Sequence, residues 1–280
     1  MTDLAALLWG TVVLRPYVFA FPAVHGRAAW RALGFRRAAA FTGIVWATAF
    51  AAEWASTRVG LPFGFYVYTE TTRGRELYLS SVPFMDSLSF VFLAGAAYAL
   101  ALPLTWPRGQ GMAQGGGVPL ARRTAPRALA VAVACFVLID VIIDPLVVRG
   151  DRWFLGRIFE YPQSGVYFGV PLSSFAGWAV LGTVGLALYT ALDRRWEARG
   201  RPAPAGGAVG FLVGGALWFA VAAFNSIITF AIGETALSLV GLAIAGAPAA
   251  LLSLSRGAAR AIVPSPGRAA RAWHGETLHP

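Results

Sequence analysis

The chain has 280 residues, 57% of them hydrophobic and 13% charged, with a mean hydropathy of +0.62. Those values, with apolar runs long enough to cross a bilayer, exclude an ordinary water-soluble domain and imply an all-α, polytopic transmembrane helical bundle of about seven spans. The formal net charge of +10 comes from arginine alone, and because the arginines fall between apolar runs they mark cytoplasmic loops and not a nucleic-acid surface.

The first run, 4–24, lacks a basic leader and a small-residue cleavage pattern, so it reads as a retained span. Arg15-Pro16 sets a charge and a kink inside it, and the arginine either snorkels or pairs with a carboxylate. Further spans are expected at 35–55, 82–106, 128–148, 168–192, 207–230 and 235–254. Residues 1–255 therefore read as one transmembrane domain, and 256–280 as a basic, disordered cytoplasmic tail. A Gly-rich run, GQGMAQGGG, reads as a flexible link between the third and fourth spans.

Sixteen arginines fall in the three connections and the tail that share one side of a seven-span chain, against six on the other side. That bias predicts a multi-pass protein of the cell membrane with its N-terminus outside and its C-terminus in the cytoplasm. The two longer outer loops, 57–81 and 149–167, are rich in Gly, Pro, Tyr, Trp and Phe. Such residues form an interfacial belt at any bilayer surface; here they are expected to fold back as a cap, because the cytoplasmic loops lack this content.

The fourth span, ALAVAVACFVLIDVIIDPLVV, is apolar except for Asp140 and Asp144. An aspartate near the middle of a spanning helix costs about 2.5 to 3.5 kcal/mol on insertion scales, so two of them need a compensating role. Their spacing of four places both carboxyls on one helical face. The predicted topology brings Glu53, Asp86 and Glu234, with Ser173, Ser174, Trp178, Asn225 and Ser226, to the same leaflet, so every acid in or beside a span is expected there. Glu234 at a helix start also suits capping, and Asp86 after Pro83 suits either a cap or chemistry. Cys135 is the single cysteine and the three histidines lack metal-ligand spacing, so neither metal nor cofactor is expected.

Carboxyls in a dry pocket suit proton transfer to and from a nearly apolar substrate. A protonated alkene leaves a carbocation, which aromatic faces stabilise. The residues alone reach a membrane acid–base site for a lipophilic substrate. Two rivals stay open: a Mg-dependent membrane prenyltransferase holding a diphosphate on the Asp-x-x-x-Asp pair, and a proton-coupled transporter of a lipophilic substrate.

Three blocks go further: E-W-x-S-T-R-V-G-L-P-F-G-F-Y-V-Y-T from Glu53, D-x-x-x-D-P from Asp140, and G-V-Y-F-G-V-P-L-S-S-F-A-G-W from Gly165. Together they resemble the membrane carotenoid hydratases, with a departure at Ser173-Ser174, where that family's P-x-x-N pattern places an asparagine. The resemblance implies cofactor-free addition of water to the terminal 1,2 double bond of an acyclic ψ-end group, giving a tertiary alcohol. On that reading Asp140 and Asp144 supply the proton and Glu53 with Asp86 handles water. Trp54, Tyr66, Tyr68, Tyr167, Ser173, Ser174, Trp178 and Asn225 then contact the substrate, a lipophilic carotenoid. Membrane lipid and other carotenoid biosynthesis enzymes are the remaining expected partners, and nucleic acid is not one.

Overall fold

In a computed structural model, which describes residues 3–107, 112, 117–204 and 207–262, the chain is a helical bundle. Its helices are α1 (Leu4–Leu14), α2 (Pro16–Leu33), α3 (Phe35–Val59), α4 (Phe84–Thr105), the single turn α5 (Leu120–Arg123), α6 (Pro126–Val147), α7 (Leu172–Ala198), α8 (Ala208–Ala231) and α9 (Thr235–Ile262). Six are long and apolar enough to cross a membrane, and α1 with α2 makes a seventh span if that bent pair is counted as one. Of the tail expected to be disordered, residues 256–262 instead continue α9, and the rest lies outside the described residues, as does most of the Gly-rich run.

The first expected span is not straight. It breaks at Arg15, where α1 and α2 meet at 93°. Pro16 at the start of α2 supplies no N–H and fixes its own φ, which suits a new helix start and no continuation of the old one. Arg15 resolves its alternatives by pairing: the guanidinium, 3% exposed, donates to Glu76 at 2.7 Å. Helix α1 then lies against the 57–81 loop. The Leu77 N–H donates to Thr11 Oγ1 at 2.8 Å, and a Cβ at Gly10 would stand 1.9 Å from the Arg75 carbonyl oxygen.

Helix α4 forms the centre. From Phe90 to Leu102 every residue is buried, as expected of a helix that is apolar all round. It packs against α2, α3, α6 and α8. Small residues bring the helices close: a Cβ at Gly210 of α8 would meet the Ala28 carbonyl oxygen of α2 at 2.5 Å.

The two longer loops fold together over one end of the bundle. Strand β1 (Val67–Tyr68) pairs antiparallel with β4 (Phe159–Glu160), and β2 (Tyr78–Leu79) with β3 (Val82–Pro83). Thr69 ties the loops further, its hydroxyl donating to the Arg157 carbonyl at 2.6 Å.

At the opposite, arginine-rich end stands an acid that breaks the expected one-leaflet rule. Helix α7 runs past the predicted end at 192 to Ala198, and Asp193 is wholly buried. It accepts from Arg37 Nε of α3 at 2.6 Å and from Arg123 Nε of α5 at 2.9 Å, with Glu197 beside both guanidiniums. A buried carboxylate between two arginines is compensated where it sits, so the hydrophobic boundary is not the helix boundary.

Candidate active site

Asp140 and Asp144 stand one turn apart on α6, 0% and 7% exposed. Their surroundings differ. Asp144 Oδ2 accepts from the Tyr161 hydroxyl at 2.8 Å and from Ser174 Oγ at 3.1 Å. Neither oxygen of Asp140 has a hydrogen-bond partner within the protein. Two donors aimed at one oxygen suit an ionised carboxylate. A wholly buried carboxyl with no donor suits the neutral acid.

A second pair faces them from α3 and α4. The Tyr68 phenol oxygen lies 2.7 Å from Glu53 Oε1 and 2.7 Å from Asp86 Oδ2. One phenol has one proton to donate. Both contacts are therefore hydrogen bonds only when a second proton sits on one of the two carboxyls, and the three groups hold protons as a unit. Burial, followed by the nearby carboxyls, pushes the Tyr66, Tyr68 and Tyr161 phenols well above the usual phenol range, so each stays a hydrogen-bond donor.

These groups open onto one cavity of about 130 Å³. Glu53, Tyr66, Asp86, Asp140, Asp144, Ser174, Trp178 and Asn225 line it, together with Tyr161. Phe90 and Phe136 both pack on the Trp178 ring, each with centroids 4.5 Å away. On the side of α2 and α8 the lining is mostly aromatic and aliphatic, with Tyr17, Phe21, Trp153 and Phe224.

Other residues expected at the site lie elsewhere. Tyr68 sits behind the lining, bridging the carboxyl pair. Trp54 is 44% exposed with the Arg58 guanidinium 4.2 Å over its ring. Ser173 is exposed, and its hydroxyl fills the place that a Cβ at Gly64 would need. Tyr167 packs against Phe168 and Phe175, away from the acids. Glu234 is a clamp: it takes Arg149 Nε at 3.0 Å and also Arg152, and those arginines, Arg149 first, hold its carboxyl below the usual carboxylate range. Arg149 donates besides to the Pro145 and Phe168 carbonyls, so both arginines near the aspartates are occupied by protein groups and not free for a diphosphate.

Tyr161 is the cavity residue at the aspartates that sequence reasoning missed. It comes from a loop without periodicity, and its aim follows from the β1–β4 pairing one residue earlier. Phe90 was within reach of the sequence, one turn after Asp86 on the same face of α4.

Residues 5–248 match the family model described as "Carotenoid biosynthesis protein". A bisanhydrobacterioruberin hydratase from Haloarcula japonica is 29% identical over 185 residues, which is 65% of this chain and 52% of the relative. The chain thus spans about half the length of that curated relative. No solved structure matches.

Proposed function

Since the chain belongs to the carotenoid biosynthesis protein family, we propose that it is a carotenoid hydratase, adding water across the terminal 1,2 double bond of an acyclic ψ-end group. The observation that carries this reading is the asymmetry of the aspartate pair: Asp140 without a partner, beside Asp144 held by two hydroxyls, in a cavity that also presents the rings of Tyr66, Phe90 and Trp178. The hydratase relative supports the same chemistry. The arginine-rich end is the cytoplasmic one on this reading, with the capped acid end facing out.

Asp140 gives its proton to the less substituted carbon of the alkene, and the other carbon becomes a tertiary cation. Asp144 lies one turn away, fixed by Tyr161 and Ser174, and its negative charge favours the cation as it forms. Trp178, Phe90 and Tyr66 face the same space and add the attraction of their π faces. Water then attacks the cation, and the Glu53–Tyr68–Asp86 unit takes the proton that the water releases. One proton leaves Asp140 and one arrives at that unit, so the site returns to its starting state when a proton passes back to Asp140.

The experiment is expression of the chain in cells that accumulate lycopene, with the pigments analysed by mass. A gain of one water per reacting end group supports the reading, and unchanged pigment across several ψ-end substrates with verified expression overturns it. Tyr161→Phe removes one of the two donors to Asp144. A hydrogen bond to a charged group is worth about 1.5 to 3 kcal/mol, so turnover is expected to fall roughly 10- to 100-fold. Steady-state rates on the purified protein check this, and Tyr68→Phe is expected to do at least as much by removing the bridge between Glu53 and Asp86.

A further inference from the structure

The acids and rings of the candidate active site enclose little space. The cavity measures about 130 Å³, a little less than an apolar cavity of about 150 Å³ that holds one benzene. That is room for about one isoprene unit, an isopropylidene end with its methyl groups, and for no stretch of polyene beside it. Val18 and Phe21 of α2, Leu93 of α4, Ile143 of α6 and Val221 of α8 supply apolar walls suited to such an end. The cavity is partly open, so a molecule whose end is enclosed can leave the rest of its chain outside.

The chemistry has the same limit as the space. In a ψ-end group, saturated carbons separate the 1,2 double bond from the polyene, so the tertiary cation formed there gains nothing from the conjugated chain. Its stabilisation has to come from the protein, and the carboxylate of Asp144 and the rings of Trp178, Phe90 and Tyr66 are in the cavity to supply it. Neither the volume nor the reaction makes use of what lies beyond the end group.

We propose that this site reads the end group alone, and that its substrates are, as a class, acyclic isoprenoid hydrocarbons that end in an isopropylidene alkene, conjugated or not. This rests on the hydratase reading of the cavity. Squalene carries the same end without a conjugated polyene and falls inside the class. One water adds at each reacting end: a hydrogen bonds to the less substituted carbon, the oxygen to the tertiary carbon, and no oxidant or reductant is needed. The rest of the chain stays outside the cavity, in the hydrocarbon of the bilayer.

The test uses the full chain in lipid nanodiscs loaded with lycopene or with squalene at the same mole fraction in the lipid, with the products followed by mass. A single methylene inside a pocket is worth about 10- to 200-fold in kcat/KM. The two probes differ only outside the cavity, so their kcat/KM values are expected to agree within about tenfold. Val18→Phe narrows the cavity from α2 and leaves every acid in place. It is expected to lower kcat/KM for both probes by the same factor, about tenfold or more. Val18→Leu serves if the larger residue lowers the thermal unfolding midpoint. Lycopene hydrated and squalene untouched overturns the inference and leaves the hydratase reading standing, as does a narrowed cavity that slows one probe and spares the other. Folded protein that hydrates neither probe sinks the hydratase reading, and this inference with it.

Discussion

Replacing Asp140 with asparagine is expected to lower turnover by about 10²- to 10⁴-fold, the usual worth of a positioned general acid, without destabilising the protein. Asp140 makes no hydrogen bond that the change could break. A purely structural aspartate behaves in the opposite way: its removal costs stability and spares the rate per folded molecule. Asp140→Leu sharpens the contrast. It removes a buried, unpaired carboxyl, whose burial costs about 1 to 3 kcal/mol, so its thermal unfolding midpoint is expected to rise while activity disappears. Steady-state rates and thermal unfolding on the same preparations check both halves. A residue that lowers stability while it serves the reaction is a common feature of active sites.

Asp193→Ala is expected to do the reverse. It leaves Arg37 and Arg123, both buried, without their shared carboxylate. Breaking a buried ion pair by removing one partner costs about 3 to 5 kcal/mol, because the remaining charge is uncompensated. Glu197 still touches both guanidiniums and limits the loss. The site lies at the other end of the bundle, so the rate per folded molecule is expected to hold. Thermal unfolding beside active-site titration separates the two effects, and a large change in rate with little change in stability would contradict this assignment.

Asp193 and Asp140 also show what the sequence could reveal. The spans were legible because an apolar run of about 20 residues has few alternatives to crossing a membrane. Asp140 and Asp144 were legible as a pair because two carboxyls on one face of an apolar span are costly and stand out from it. Asp193 was passed over because hydropathy ends a span at the first charge, while its compensation arrives from Arg37 and Arg123, 156 and 70 residues away in the chain. Arg15 was half legible: its need for a partner could be read, but not that the partner is Glu76, nor that the helix would turn by 93° to reach it.

Within the site, adjacency in sequence was the poorest guide. Trp54 follows Glu53 directly, and on a helix that places it about 100° around the axis, facing away from the cavity. Ser173 and Ser174 divide in the same way, with the second turned inward to Asp144 and the first outward to Gly64. Tyr161 could not be read at all, since its direction depends on a strand pairing between two loops more than 90 residues apart in the chain.

The central claim is that this cavity adds water to an alkene, and isotopic water tests it most directly. Purified protein in nanodiscs would be given lycopene in water labelled with deuterium and oxygen-18, and the product examined by mass and NMR. The account predicts one oxygen-18 on the tertiary carbon and one non-exchangeable deuterium on its neighbour for each end group that reacts, with both labels absent for Asp140→Asn. A product without oxygen-18, or one formed only with magnesium and a diphosphate co-substrate, would contradict it.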